Sequence, residues 1–317
     1  MARSGPPLVS VVIPTRDRPA LAARAVASVL EQTYPALEVV VVDDGSQPPL
    51  ALPEPLAGDP RVRLVRCAGG RGAGAARNAG VALCRGPLLA FLDDDDRFRP
   101  AKLERQVAAL VAAGDGVDAV ESGYELWDGD RLVRRYLPAP DRDLARTLLE
   151  APRMQPSTVL LRTAVFRELG GFDPTLRRVE DWELWVRFAD RHRALALREV
   201  LVDRAVSAPA GELRWYGELV RRLEPRLAAL PEPERARIRA VHLLVLSHLH
   251  AREGDRAGAR ARALEALRVR PRSAPRALLY LARSVLGERA WEAGKRTLRL
   301  AVHPLLRRLG RDPRVSS

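Results

Sequence analysis

Four consecutive aspartates, Asp93-Asp94-Asp95-Asp96, directly follow the apolar run Pro87-Leu88-Leu89-Ala90-Phe91-Leu92. A charge run is ordinarily a solvated face, but this one stands at the tip of a stretch that reads as a buried strand. Neighbouring carboxylates ~4 Å apart repel by roughly 4 kcal/mol at an effective dielectric of about 20. A divalent cation removes that cost, and hard oxygen ligands suit Mn2+ or Mg2+. A metal site is therefore expected here. A second acidic pair, Asp43-Asp44, closes the run Leu37-Glu38-Val39-Val40-Val41-Val42 and leads into Gly45-Ser46. An Asx turn accounts for that pair as well as a ligand contact does. Asp181 opens an amphipathic stretch containing Leu184, Trp185 and Phe188. There it can cap a helix or act as a general base, since a helix N-terminus keeps a carboxylate ionised.

The glycine cluster Gly69-Gly70-Arg71-Gly72-Ala73-Gly74 also has two readings. Gly70-x-Gly72-x-x-Ala75 matches a loose dinucleotide fingerprint, with Asp93 roughly twenty residues further on. That fingerprint belongs after the first strand of a βαβ unit, however, and this one follows the third. The other reading is a flexible loop and helix start beside a nucleotide, with Arg77 turned toward phosphate or base. No Gly-Lys-Ser/Thr P-loop occurs in the chain.

The elements that must position these groups alternate. Leu8–Ile13, closed by Pro14, reads as a buried strand, and Pro19 opens a helix with Leu21, Ala25, Val26, Val29 and Leu30 on one face. Strands at 37–42, 61–67 and 87–92 follow, with a helix from about Ala75 to Cys84 and another from Pro100 to about Ala113. Continuous apolar strands between amphipathic helices predict a parallel sheet covered on both faces, an α/β domain. Beyond Val117–Val120 the rhythm loosens. A hairpin is expected at Trp127-Asp128-Gly129-Asp130, a short helix at Leu144–Glu150, strands at Ser157–Leu161 and Leu195–Val202, and a helix from Glu180. After Pro209-Ala210-Gly211 the pattern is helical only: Leu213–Leu230, Glu232–Glu253, Arg256–Val269, Ala274–Leu286 and Ala290–Leu309. The stretch from Val241 to Pro271 resembles one helix-turn-helix repeat of tetratricopeptide type, and one unit is not an array.

Composition bounds the function classes. The 317 residues are 47% hydrophobic and 29% charged, enough for one or two folded domains. No apolar run approaches the ~18 residues of a transmembrane helix, and no signal-peptide pattern precedes the first strand. Two cysteines, Cys67 and Cys84, make neither a disulfide framework nor the usual zinc sites. They read as packing residues of a cytoplasmic protein. The net charge of +13 is uneven: residues 1–210 carry 29 basic and 29 acidic side chains, residues 211–317 24 and 11. The basic tail reads as a solvated helical bundle, or as a membrane-surface contact in which Leu298–Leu309 alternate with arginines. Nucleic-acid binding is disfavoured, since only Trp215, Tyr216, Tyr280 and Trp291 can stack and no known module is present.

Several motifs in fixed order carry a family resemblance. They are Val9–Thr15, Ser28-Val29-Leu30-Glu31-Gln32-Thr33-Tyr34-Pro35, Glu38–Ser46, Ala76-Arg77-Asn78-Ala79-Gly80, Phe91–Asp96, Gly170-Gly171-Phe172-Asp173, and Glu180-Asp181 with Leu184-Trp185. Over about residues 8–205 the chain resembles the family-2 inverting glycosyltransferases with the glycosyltransferase-A fold. The resemblance implies a Rossmann-like, mostly parallel sheet with helices on both faces; it does not cover the helical tail, which the pattern beyond residue 210 reads as an all-α appendage. Together with the charge asymmetry and the helical pattern, it divides the chain into a catalytic domain at 1–210 (a nucleotide-binding half at 1–122, an acceptor half at 123–210) and a basic helical region at 211–317. It implies that Pro14, Thr15, Arg16, Asp43, Asp44, Arg77, Asp93 and Asp94 bind a nucleoside-diphosphate sugar, with a UDP-sugar the expected donor and Asp43 in support. Asp95 and Asp93 would hold Mn2+ or Mg2+, and Asp181 would be the catalytic base toward a sugar, lipid-linked or protein acceptor. Such an enzyme would serve envelope or exopolysaccharide synthesis from the cytoplasm, at the inner face of the membrane if the basic tail makes the surface contact. Two departures stand out. Many relatives carry Tyr-Asn at Arg16-Asp17, and many carry a histidine after the last strand, where Asp203-Arg204-Ala205-Val206-Ser207 offers none. His192, nearby, is expected at the surface, and His242, His248 and His250 are not expected to bind metal. The competing classes are a non-catalytic sugar-nucleotide or protein-interaction module and a dinucleotide-dependent enzyme; Asp181 would be idle in the first.

Overall fold

The computed structural model describes residues 5–140, 143–206 and 212–273, together with Leu278. The helices expected at 274–286 and 290–309, and the membrane contact ascribed to Leu298–Leu309, lie outside the described residues. The chain divides after residue 209 into two compact units.

In the first unit β1 (Val9–Thr15), β2 (Leu37–Asp43), β3 (Val62–Arg66) and β4 (Leu88–Phe91) run parallel in the order β3-β2-β1-β4. The alternation of side chains along β1 explains the two covered faces. Val9, Val11 and Ile13 pack against α1 (Pro19–Leu30) and α3 (Lys102–Ala113) in one apolar core. On the other face α2 (Ala73–Val81) lies so close that a Cβ on Gly80 would stand 2.5 Å from Val12 and 2.9 Å from Val42. Glycine is what lets that helix reach the sheet. Each fully buried Val or Leu contributes about 1.5–3 kcal/mol.

Pro14 does not end β1, contrary to the expectation. Its missing N–H points to the β4 side, where pairing already stops at Val12↔Phe91, so no ladder bond is lost. Strand pairing past β4 is mostly antiparallel. β5 (Arg97–Phe98) is the far edge, and β6 (Ala119–Asp128) and β7 (Arg131–Tyr136) form the expected hairpin. α4 (Leu144–Glu150) precedes β8 (Val159–Arg162), which runs antiparallel between β4 and β6. After α5 (Thr163–Glu168) and α6 (Glu180–Ala189), β9 (Ala194–Ala205) lies parallel to β6 and antiparallel to β5. His192 proves largely buried rather than at the surface: its side chain is 10% exposed and its ring meets Phe188, because the turn after α6 folds it back.

The second unit, among described residues, consists of α7 (Glu212–Ala228), α8 (Glu234–Arg252) and α9 (Arg256–Val269). Gly254, at φ +84°, turns the chain between α8 and α9, and Ala240, Leu243 and Leu244 pack on Ala266. Among described residues no helix is long and apolar enough to cross a membrane.

Candidate active site

Parallel register sets the carboxyl ends of β1, β2 and β4 side by side, with Thr15 opposite Asp43 and Asp93 two residues beyond Phe91. A cleft of about 740 Å³ opens there. Pro14, Thr15, Arg16, Asp44, Arg77, Asp93, Asp94 and Asp95 all line it. Asp43 does not. It is 1% exposed and accepts hydrogen bonds from Ser46 N (2.8 Å) and Leu50 N (3.1 Å), which hold its carboxyl below the ordinary value although burial opposes this. Asp43 therefore builds the turn, and Asp44 faces the cleft.

The glycine-rich loop closes round Asp44. Arg71 N and Gly72 N donate to its carboxylate at 3.3 and 3.1 Å, the amides that a dinucleotide fingerprint would offer to a pyrophosphate. Backbone crosses backbone beside it: Gly45 and Gly69 both take φ +81°, and a Cβ on Gly45 would meet Gly69 Cα at 2.5 Å. At the mouth, Asp17 adopts φ +55° and ties its loop to the next by accepting from Gln47 N and donating its own N–H to Ser46 Oγ.

The four aspartates have four different surroundings. Asp93 accepts from the guanidinium of Arg77, and its N–H donates to Ser157 Oγ. Burial opposes its charge, but Arg77 outweighs burial and holds the carboxyl below the ordinary value. Asp94 takes Thr15 Oγ1 at 2.7 Å and Arg18 at 3.1 Å, yet burial still raises it. Asp95 reaches Arg18 at 3.4 Å and is raised by burial and by the charge of Asp93. Asp96 is 1% exposed, accepts from Ser157 Oγ, Arg204 Nε and Ala205 N, and is pushed up to about 7 by burial despite Arg204. Carboxylate oxygens of Asp93, Asp95 and Asp96 lie within 4.8 Å of one another. An all-oxygen set fits a hard divalent cation, although each of the three carboxylates already faces an arginine: Arg77, Arg18 and Arg204 respectively.

Arg77 joins this cluster to α6. It is 4% exposed, donates to Asp93 on one side and to Glu180 (2.8 Å) on the other, and lies over the Phe172 ring. Its charge is kept because the two carboxylates outweigh its burial. Asp181 is not the helix cap. Val179 holds that position in the left-handed conformation (φ +58°), a strained state for a β-branched residue, and presents Glu180 and Asp181 on the first turn. Asp181 does not line the cleft itself, but its carboxyl feels both Arg77 and Asp93. Burial first, and then Glu180, push it up to about 6.

The remaining motif residues hold these pieces in place. Asn78 both donates to Phe172 O (2.7 Å) and accepts from Phe172 N (2.9 Å), fastening Gly170–Phe172 to α2. Gln32 donates to Arg99 O and accepts from Leu103 N, clamping the chain just after the acidic run. Three residues here were given no role from sequence: Arg18, Glu180 and Arg204. Arg18 lies three residues past Thr15, a spacing that could have signalled it, but Arg204 reaches Asp96 from 108 positions away, with nothing local to announce it.

Known proteins resemble this chain in family and fold. The model of the family described as glycosyl transferase family 2 matches residues 10–170. An uncharacterized glycosyltransferase of Rickettsia prowazekii is 29% identical over 64% of this chain, which spans 65% of that protein, just under two thirds of its length. An Escherichia coli protein named UDP-Glc:alpha-D-GlcNAc-diphosphoundecaprenol beta-1,3-glucosyltransferase is 28% identical over 56% of this chain and 68% of its own. Among solved structures, Staphylococcus aureus TarS 1–349 in complex with UDP-GlcNAc shares the fold at a TM-score of 0.56 and 19% identity, covering 88% of this chain and 81% of that one. With the family model covering half of its length, the chain belongs to glycosyl transferase family 2.

Proposed function

We propose that the chain is an inverting glycosyltransferase that moves a sugar from a nucleoside-diphosphate donor, in the first instance a UDP-sugar, to an acceptor hydroxyl. The observation that carries this reading is the meeting of Thr15, Asp44 and the Asp93–Asp95 carboxylates in one cleft, joined through Arg77 to the α6 turn that bears Asp181. Asp44 and the Pro14-Thr15 backbone would receive the base and ribose. Asp93 and Asp95 would hold Mn2+ or Mg2+, which supplies positive charge against the departing diphosphate.

Asp181 would accept the proton of the acceptor hydroxyl as that oxygen attacks C1. The new C1–O bond forms while the C1–O bond to the diphosphate breaks, and the diphosphate leaves with the electron pair. Attack from the face opposite the leaving group inverts the anomeric centre in one displacement. No second carboxylate nucleophile is required, unlike a retaining mechanism. Asp181 suits the role because a base titrating at about 6 is ionised at neutral pH yet far more basic than an ordinary aspartate. Residues 123–210 would form the acceptor half, and synthesis of an envelope or exported polysaccharide is the setting proposed for it.

The test is calorimetric titration of UDP, GDP and dTDP, each with and without Mn2+, on the wild type and Asp95→Ala. Metal-dependent binding of one nucleoside diphosphate, lost in Asp95→Ala, supports the donor site. Binding indifferent to both metal and Asp95 would overturn the metal assignment. Turnover of a matching sugar nucleotide by the wild type but not by Asp181→Asn then tests the base.

A further inference from the structure

Five arginines besides Arg77 line the cleft: Arg16, Arg18, Arg24, Arg178 and Arg204. Their surroundings differ in a way that matters for an anionic ligand. Arg77 is almost fully buried and donates from its two terminal nitrogens to two carboxylates, so that among the described residues only its buried Nε is left without a partner. Arg18 is half exposed, at 51%, and already bridges Asp94 and Asp95. Arg24 donates to the backbone oxygen of Asp95. Arg204 alone combines shielding, anchorage and spare donors. Its side chain is 18% exposed, its Nε donates to Asp96 at 3.1 Å, and its guanidinium carbon sits 5.1 Å from the centroid of the Tyr124 ring. Among the described residues no hydrogen bond engages its two terminal nitrogens, and its charge is felt at Asp93 and Asp95.

A guanidinium fixed at Nε and stacked on a ring has little entropy left to lose when it binds an anion, and its planar fork matches two phosphate oxygens. The residue also stands at the end of β9, whose last residues line the same cleft as Asp93 and Asp95. We propose that Arg204 is a diphosphate-binding residue, donating its terminal nitrogens to the β-phosphate of the sugar nucleotide and to the diphosphate as it departs. The inference rests on the donor-site reading above and adds a residue to it. Asp96 serves as its anchor: it is almost fully buried, does not line the cleft, and accepts from Arg204 Nε.

The test separates phosphate recognition from mere support of Asp96. UDP and UMP are titrated calorimetrically, with Mn2+ present, into the wild type, Arg204→Ala, Arg204→Lys and Arg204→Gln, with thermal unfolding of each variant recorded alongside. Glutamine keeps a donor for Asp96 but carries no charge, so it also covers the case in which the alanine variant fails to fold. The expected result is at least a tenfold loss of UDP affinity in the alanine and glutamine variants, under threefold change for UMP, and partial recovery with lysine. Equal losses for UDP and UMP, or no loss, would overturn the proposal and leave Arg204 a structural partner of Asp96. A wild type that binds no nucleoside diphosphate would instead overturn the donor-site reading on which the proposal rests.

Discussion

Lys102 is the most exacting test of these energetics, because its charge is buried without a carboxylate. It lies on the first turn of α3, fully buried, donates to Gln106 Oε1 at 2.7 Å and sits 4.0 Å from the centroid of the Phe98 ring. Gln106 in turn donates to Val120 O and Thr158 O, so the amine is enclosed by groups that are already engaged. Burial pushes the ammonium down to about 7 from an ordinary value of 10.5. A drop of about 3.5 units at ~1.4 kcal/mol each sets a ceiling of ~5 kcal/mol on the cost. The sign follows from proton counting. The unfolded chain keeps its proton up to pH ~10.5, the folded chain only below about 7, so stability rises with pH between those limits. The full cost is present at and below neutrality. Lys102→Met removes that cost but forfeits the ring contact and the bond to Gln106, worth about 1–2 kcal/mol together. The variant should therefore be more stable than the wild type by ~3 kcal/mol at pH 7, with the gap closing or reversing near pH 10. Urea unfolding across that window measures it, and titrations common to both proteins cancel in the difference. A gap that stays constant with pH would refute the reasoning, since the lysine would then not be discharging inside the fold.

Asp181→Asn should lower turnover by ~100-fold or more, and the wild-type kcat/KM should fall tenfold per pH unit below about 6; an acid limb near 4 would contradict the assigned environment. Because its folded pKa is raised above 3.8, ionised Asp181 destabilises the fold above that range, so the same variant should melt higher at pH 7 than the wild type and no higher at pH 4. Asn78→Ala loses both bonds to the Phe172 backbone and should cost about 1–3 kcal/mol in unfolding experiments, with turnover falling more than nucleotide affinity. Cys84 is buried and its thiol is pushed up to about 11 by burial, so iodoacetamide at pH 8 should leave it unmodified in the folded protein and label it after denaturation.

What was legible in the sequence divides along a physical line. Long apolar runs announced β1, β2 and β4, since a strand buried on both faces leaves little room for polar residues. β5, two residues long, and α5, six, were missed because neither lasts for enough of its period to show. The acidic tips were visible as a group, but not their division of labour. Asp43 and Asp44 are adjacent, yet one points into the turn and the other into the cleft, a matter of side-chain direction that composition does not carry.

The motifs that carried the family resemblance also mix two kinds of residue. Asp44, Asp93, Asp94 and Asp95 stand where a ligand can reach them, whereas Gln32, Asn78 and Gly80 touch only the protein. The second kind is no less necessary to the geometry. Asn78 draws the Gly170–Phe172 turn onto α2, Phe172 stacks under Arg77, and Arg77 spans the gap from Asp93 to Glu180. A run of contacts thus links the acidic tip of β4 to the first turn of α6 across residues far apart in the chain. If Asp181 is the base, its distance from the diphosphate is set by that run, and a motif match alone cannot say whether the run is intact. The buried, doubly paired Arg77 is the observation that says so.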